Sequence, residues 1–224
     1  NLKADAPPPP ADLPGRRKLS AALTGRTVWL AASTHPGEDD IIAAAHLKMG
    51  AARPDLLTII VPRHPERGPL IADQLKPTSL SVALRSEGKL PDASTDIYVA
   101  DTIGELGLFY ALSPVAFVGG SLAKRGGQNP VEPIKLGAAV LTGPNFQNFR
   151  DSYTALLGAG GCKQVSDAAG LAEAALALID DAGARRAMTE RASRAIAAMS
   201  GALPRTLTEL EPYLPPRTTL QHAS

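Results

Sequence analysis

The sequence predicts an α/β protein built on a mostly parallel sheet with helices on both faces. Three short apolar runs, at residues 28–32, 56–61 and 115–118, carry this prediction. Unbroken runs of this length are typical of strands that are covered on both faces. Helical patterns follow the runs, and strands that alternate with helices pair in parallel through right-handed crossovers.

The first elements have the clearest signals. Residues 28–32, Val-Trp-Leu-Ala-Ala, predict a buried strand. A helix is predicted over residues 38–49, because Pro36 suits a helix start and Gly50 a helix end. Residues 56–61, Leu-Leu-Thr-Ile-Ile-Val, are mostly apolar and β-branched and predict the strongest strand.

The same alternation predicts the later elements. In chain order they are a helix at about 65–75, a weak strand near 80–84, a strand at 97–100, a helix near 103–112, the strand at 115–118, a helix at 131–136, strands at 139–141 and 163–165, and alanine-rich helices at about 168–179 and 183–199. Paired glycines stop the run at 115–118. Asn129 then suits a helix cap and Pro130 the first helical position.

Composition excludes several classes of function. The chain has 224 residues, of which 44% are hydrophobic and 20% charged, as in ordinary globular domains. A net charge of +1 and 4% aromatic residues argue against nucleic-acid binding. The single cysteine, Cys162, excludes an internal disulfide and a cysteine-based zinc site. No apolar run is long enough to predict a membrane span.

The two ends differ in composition from the centre. Residues 1–15 contain a run of four prolines at 7–10 and predict a stiff interdomain linker. Residues 16–200 form the predicted α/β domain, and residues 201–224 a proline-containing tail over the surface. Because the chain begins at Asn1 rather than Met, we expect a fragment of a longer protein.

Polar loops follow four of the predicted strands, and the first two are candidate phosphate contacts. In the loop at 33–38, Ser33 and Thr34 precede a helix start, where anions bind readily, although simple helix capping also explains them. In the loop at 62–67, Arg63 suits a phosphate, and the alternative is a surface ion pair. His64 is interpreted as a hydrogen-bonding positioner.

The other two loops have capping-box spacing. Thr102 and Glu105 have it, and so do Asn129 and Glu132. The functional alternative in the loop at 101–106 is that backbone N–H groups of residues 103–105 cradle a ligand. For Glu132 the alternative is a carboxylate that accepts ribose hydroxyls beside the glycine pairs, and there we favour function.

Other catalytic schemes lack their residues. The sequence contains no GxxxxGK[ST] motif, and no GxGxxG follows the first strand. The segment at 119–123 faintly resembles a nucleophile elbow with Ser121 as nucleophile. The only later histidine is His222 in the tail, so a hydrolase is not expected.

The four loops together resemble the carboxyl-terminal half of the 3-deoxy-D-manno-octulosonic acid (Kdo) transferases of lipopolysaccharide synthesis. The resemblance runs from residue 1, in the family's linker, to about residue 180. The motifs that carry it are Ala-Ser-Thr-His-Pro-Gly-Glu at 32–38, Val-Pro-Arg-His-Pro-Glu-Arg at 61–67, Asp-Thr-Ile-Gly-Glu-Leu-Gly at 101–107, Phe-Val-Gly-Gly-Ser at 117–121, Gly-Gly-Gln-Asn-Pro-Val-Glu-Pro at 126–133, Leu-Thr-Gly-Pro-Asn-Phe at 141–146 and Asn-Phe-Arg at 148–150.

The resemblance implies a GT-B glycosyltransferase of two Rossmann-like domains, of which this chain is the donor-binding one. The family transfers Kdo from CMP-Kdo to a lipid A precursor at the cytoplasmic face of the bacterial inner membrane, with inversion and without a metal or cofactor. The acceptor and the catalytic carboxylate belong to the amino-terminal half. We therefore expect a soluble fragment without a catalytic residue, whose membrane contact requires the full-length protein.

Carried over by motif, Arg63 would hold the CMP phosphate, the turn at 103–105 would contact the nucleotide, and Asn129 and Glu132 would serve the phosphate–ribose region. Two positions depart from the family pattern. Gln128 replaces a common histidine, which removes a titratable group, and Ile103 replaces a common methionine. The complete set expected at the donor is Ser33, Thr34, Arg63, His64, Ile103, Gly104, Glu105, Gly119, Gly120, Ser121, Gly127, Gln128, Asn129 and Glu132.

Two alternatives to a Kdo transferase stay open at this point. One is another GT-B protein that uses a UDP-sugar, which differs in the base that the donor site accepts. The other is a non-catalytic nucleotide-binding module, because one fold serves many functions.

Overall fold

A computed structural model of the chain describes residues 5–11, 15–201, 206, 208–210 and 213. The strands are β1 (Thr27–Thr34), β2 (Leu56–Pro62), β3 (Val82–Leu84), β4 (Ile97–Val99), β5 (Val115–Val118), β6 (Ala139–Thr142) and β7 (Cys162–Gln164). The helices are α1 (Arg16–Ala22), α2 (Glu38–Gly50), α3 (Gly68–Leu75), α4 (Leu106–Leu112), α5 (Val131–Lys135), α6 (Arg150–Gly158), α7 (Ala168–Asp180) and α8 (Ala182–Met199). None of the helices in this part of the chain has the length and apolar character needed to cross a membrane.

The seven strands form one sheet in the order β3-β4-β2-β1-β5-β6-β7, and every pair is parallel. Strands β2, β4 and β3 lie in that order on one side of β1, and the chain then returns to add β5 on the other side. The direction of winding therefore reverses between β1 and β5. In open α/β sheets, ligands bind in the crevice outside the carboxyl ends of the strands at such a switch point.

Helices cover both faces of the sheet, as predicted. Alternate residues of β1 point to opposite faces, so Trp29 belongs to one buried cluster and Leu30 to the other. The Trp29 cluster includes apolar side chains of α2, α3 and α7, whereas α1 and α4 pack on the Leu30 side. A third cluster joins β6 to α5, α6 and α8.

The structure confirms the predicted strands and most of the helices, with shifts at element ends. Helices α1 and α6 were not predicted. In α1 only Leu19 of the seven residues is buried, and a single apolar side chain gives no helical period. The predicted helix over 103–112 begins instead at Leu106. Pro130 precedes α5 rather than opening it, and β7 begins one residue before the predicted strand.

Residues 5–11, here called the leading segment, pack against the domain. The amide of Gly201 donates to the Asp5 carboxylate, and Lys135 Nζ donates to the carbonyl of Ala6. Residues 1–4 and 12–14 of the predicted linker and most of the predicted tail lie outside the described residues. The division into linker, domain and tail stays a prediction.

A polar chain crosses the core between β1, β2 and α2. The Trp29 indole N–H donates to Thr58 Oγ1 at 2.6 Å, and that hydroxyl lies 2.8 Å from His46 Nδ1. We assign the ring proton of His46 to Nε2, which faces Asp96, so that Nδ1 accepts from the Thr58 hydroxyl. Burial lowers the pKa of His46, while Asp96 at 3.8 Å opposes that shift.

This arrangement predicts that stability falls on mild acidification. The unfolded chain protonates His46 at a pKa of about 6.5, whereas the folded chain resists the proton, so acid below that pH favours unfolding. His46→Asn should remove this part of the pH dependence, up to about 1.4 kcal/mol per pH unit. Urea unfolding of both chains between about pH 7.5 and 5.5 measures it.

His64→Asn is the matched control, because the His64 side chain is 55% exposed. The control retains His46 and should therefore retain the part of the pH dependence that His46 causes. An identical pH dependence of stability in His46→Asn would contradict the account of the core.

Candidate functional site

A cleft of about 670 Å³ opens at the switch point, where the carboxyl ends of β1, β2, β4 and β5 meet. This volume lies within the usual range for sites that hold small molecules. The cleft brings together side chains that are far apart in sequence, as predicted for successive strand ends. Its lining residues are Ala6, Pro7, Pro9, Ser33, Val61, Pro62, Arg63, His64, Pro65, Thr102, Ile103, Gly104, Leu106, Tyr110, Gln128, Asn129, Val131, Glu132, Lys135 and Phe149.

The end of β1 turns Ser33 towards the cleft. The register of β1 against β2 shifts between Ala32 and Thr34, and Ser33 has a left-handed φ of 56°. An extra residue of this kind re-aims a side chain at a strand end. Thr34 points inward instead, and its buried hydroxyl donates to Asp39 Oδ1 at 2.8 Å. Only one of the two predicted hydroxyls therefore lines the cleft.

The carboxylate of Glu38 connects the ends of β1 and β5. Glu38 is fully buried and accepts five backbone hydrogen bonds. The donors are the N–H groups of Gly120 at 2.7 Å, His35 and Leu122 at 2.9 Å, Ser121 at 3.0 Å and Ala123 at 3.1 Å. Consecutive N–H groups of this kind are a common anion-binding arrangement. Here the anion is a side chain of the protein itself.

The glycine turn after β5 has a packing role that its sequence pattern did not reveal. A Cβ on Gly119 would lie 2.5 Å from the carbonyl oxygen of Ser33 and 2.9 Å from Glu38 Oε2. The buried Ser121 hydroxyl donates to the carbonyl of Val118 at 2.6 Å and accepts from the amide of Gly143 at 2.8 Å. The turn is thus filled and hydrogen-bonded inside the fold.

The acidic run at the start of α2 is mostly buried. Acidic side chains in the first turn of a helix commonly interact with the helix dipole from the surface. Here, Asp39 forms a buried ion pair with Arg67, which also donates to the carbonyl of Thr34 at 3.0 Å. Burial raises the pKa of Asp39, and its bonds to Thr34 and Arg67 oppose the shift. Of the three acids, only Asp40 is exposed.

At the end of β2, Arg63 and His64 reach the cleft. The amide of Arg63 donates to the carbonyl of Thr34 at 3.0 Å, which anchors its backbone to the end of β1. Within the described part of the chain the exposed guanidinium makes no hydrogen bond or ion pair, so the alternative of a surface ion pair finds no partner there. The His64 ring packs edge-on against His35, 6.2 Å between centroids.

The loop after β4 presents Ile103 and Gly104, and Ile103 is 87% exposed. The predicted capping box is wrong, because the Glu105 carboxylate binds both Arg85 and the Thr102 hydroxyl and caps no N–H group. These bonds lower the pKa of Glu105, and the hydrogen bond from Arg85 contributes most to that shift. Arg85, which sequence reasoning missed, therefore holds the loop in place. An arginine on a separate loop gives no local signal of this partner.

The segment before α5 forms another wall. The Asn129 amide donates to Glu132 Oε1 at 2.9 Å, and its own oxygen accepts from the amide of Val131 at 3.1 Å. The Gln128 amide nitrogen lies 3.1 Å from His35 Nε2. With the amide oriented in this way, neutral His35 accepts the bond. Burial lowers the pKa of His35, opposed chiefly by Glu38, which is consistent with the neutral form.

The cleft therefore gathers part of the predicted donor set. Eight of the predicted residues line it: Ser33, Arg63, His64, Ile103, Gly104, Gln128, Asn129 and Glu132. The other six do not line it: Thr34, Glu105, Gly119, Gly120, Ser121 and Gly127. Sequence reasoning missed Tyr110, Lys135 and Phe149, which belong to helical or loop patterns without a chemical motif, and the leading segment.

Glu38→Gln should destabilise the fold strongly. Both carboxylate oxygens accept N–H groups, so either orientation of the new amide turns its NH2 group towards backbone donors. We expect a loss of roughly 3 kcal/mol in the free energy of unfolding, measured by urea denaturation.

Asp40→Asn is the matched control, because Asp40 is exposed in the same helical turn. It should cost only about 0.5 kcal/mol through the helix dipole. Equal losses in the two variants would contradict the role assigned to the Glu38 contacts.

Comparison with known proteins identifies relatives over most of the chain. No protein-family model matches the chain. The chain is 40% identical over 203 residues to the 3-deoxy-D-manno-octulosonic acid transferase of Haemophilus influenzae, covering 88% of this chain and 48% of that protein. It is 38% identical over 218 residues to that of Bordetella pertussis, covering 96% and 51%. The chain thus spans about half the length of these relatives.

Among solved structures, the chain is similar to the C-terminal CMP-Kdo binding domain of WaaA from Acinetobacter baumannii. The two share 33% identity with a TM-score of 0.77, over 81% of this chain and 95% of that domain. This likeness confirms the predicted GT-B carboxyl-terminal fold. The chain therefore belongs to the Kdo transferase family and corresponds to the family's carboxyl-terminal domain.

Proposed function

We propose that the cleft binds CMP-Kdo and that the chain is the donor-binding domain of an inverting Kdo transferase. The similarity to the Acinetobacter domain, which is described as CMP-Kdo binding, supports the donor class. The observation within this chain that carries the proposal is the guanidinium of Arg63, which is unpaired among the described residues and lies at a cleft that also presents Ser33 and Glu132.

Arg63 and Ser33 suit the phosphate of the donor. A guanidinium binds a phosphate through paired N–H donors, and the Ser33 hydroxyl adds a further donor at the same strand ends. When the bond from the sugar to CMP breaks, negative charge develops on the departing phosphate. Donors that are already in place stabilise that charge without reorganisation, which lowers the barrier.

Glu132 and Asn129 suit the ribose. Glu132 Oε1 already accepts from the Asn129 amide, and no described hydrogen bond uses Oε2. That oxygen is positioned to accept a ribose hydroxyl, as acidic residues do in dinucleotide folds. The capping interpretation is met only in part, because the Asn129 oxygen binds the amide of Val131 while Glu132 binds Asn129.

The exposed Ile103 and the backbone at Gly104 suit the base. The bonds of Arg85 to Glu105 hold this turn in place beside the cleft, which Ile103 and Gly104 line. Gln128 supplies a hydrogen-bonding amide rather than a titratable group, and its amide is directed to His35. We therefore assign no proton transfer to this position.

The remaining steps of the proposed reaction need the other half of the protein. The lipid A precursor and the catalytic carboxylate would belong to an amino-terminal domain, and the full-length protein would work at the cytoplasmic face of the inner membrane. We propose that this chain alone binds CMP weakly and transfers no Kdo. Measurable transfer by the chain alone would contradict this assignment.

Arg63→Ala should weaken CMP binding by about 1.5–3 kcal/mol, because a charged hydrogen bond to phosphate is lost. Isothermal titration of the chain with CMP measures the change. Arg53→Ala is the matched control, since Arg53 pairs with Asp180 away from the cleft. It should leave the affinity unchanged.

UMP serves as the second ligand in the same titration. CMP and UMP differ only at the edge of the base, so their comparison reports on recognition of the base. A site for CMP-Kdo should bind CMP more tightly than UMP. Equal binding would favour a UDP-sugar enzyme, and an unchanged affinity in Arg63→Ala would remove Arg63 from the site.

A further inference from the structure

We propose that the leading segment is a wall of the nucleotide site, in which Pro9 contacts the bound nucleotide and Gly107 and Lys135 act as positioning residues for the segment. The inference rests on the proposed function of the cleft. It assigns a binding role to residues that the sequence analysis interpreted only as a linker between domains.

The cleft surface itself includes the leading segment. Ala6, Pro7 and Pro9 line the same cavity as Arg63 and Glu132. Pro9 is half-buried, whereas Pro8 is exposed and does not line the cavity. A ligand that fills the cleft therefore meets pyrrolidine rings of this segment as well as the strand ends of the sheet.

Three contacts hold the segment in this position. Asp5 accepts from the amide of Gly201, and Lys135 Nζ donates to the carbonyl of Ala6. At Gly107 the backbone of the segment touches α4, because a Cβ there would lie 2.3 Å from the Pro10 carbonyl oxygen and 2.9 Å from that of Pro9. Only a glycine permits this approach, so the start of α4 is shaped to receive the segment.

The chemistry of this wall matches one part of a nucleotide. Proline has no N–H group and presents a rigid apolar ring, and a run of prolines loses little conformational entropy when it is held in place. Ile103, Leu106 and Tyr110 line the cleft as well, so its lining includes apolar side chains from α4 and the loop before it. An apolar surface of this kind suits the face of a pyrimidine base, whereas Arg63 and Ser33 suit the phosphate.

The experiment compares CMP affinities of four variants of the chain by titration calorimetry. Pro9→Gly removes a ring from the cleft, and Pro8→Gly removes one equally stiff residue outside it. Gly107→Ala displaces the segment from α4. Its control is Gly158→Ala, an exposed helical position where a Cβ meets no atom within 4 Å.

We expect Pro9→Gly and Gly107→Ala to bind CMP at least about fourfold more weakly, the factor that corresponds to one buried methylene. Pro8→Gly and Gly158→Ala should bind as the unchanged chain does. Thermal unfolding checks that each variant is folded. If Gly107→Ala fails to fold, the two proline variants still decide the question.

The outcomes separate this inference from the function on which it rests. Absence of CMP binding by the unchanged chain would overturn the proposed function and the inference together. Binding by the unchanged chain with equal affinities in Pro9→Gly and Pro8→Gly would overturn the inference alone.

Discussion

The carboxylate of Glu38 determines how the ends of β1 and β5 meet, and the cleft takes its shape from that junction. A carboxylate loses its hydration when it is buried, and it is stable there only with full hydrogen bonding. Five backbone N–H groups supply that bonding. The same contacts hold the turn at 119–123 against the loop at 33–38. Ser33 belongs to the loop at 33–38 and lines one side of the cleft. The segment that carries Gln128 and Asn129 follows the turn at 119–123 and lines the other side.

This junction distinguishes two strand ends that both have the sequence pattern of an anion-binding site, the turn at 119–123 and the loop that carries Arg63. Successive N–H groups after a buried strand are typical of an anion site, and the turn at 119–123 provides them. Because Glu38 occupies that turn, we assign the anion of a ligand to the neighbouring strand end, beside Arg63. The protein thus uses one anion-binding arrangement for its own stability and leaves the other for the proposed donor.

The fold followed from local patterns, whereas the site followed from them only in part. Apolar runs and helix signals predicted the sheet, since burial on both faces leaves its mark on each strand separately. Arg63, Gln128 and Glu132 were expected at one cleft because the carboxyl ends of parallel strands meet at one edge of the sheet. Local sequence patterns did not predict contacts between residues that are distant in sequence. Examples are the contact of Glu38 with Gly120 and that of Arg85 with Glu105. The leading segment was missed as a cleft wall because a proline run has no chemical signature and its contact with Gly107 exists only in the fold.

A crystal structure of the chain with CMP bound would test the central claim most directly. The account predicts that the phosphate lies beside Arg63 and Ser33, with Glu132 at the ribose, while Glu38 still accepts the N–H groups of the turn at 119–123. A phosphate bound within that turn, with the Glu38 carboxylate displaced, would contradict the account.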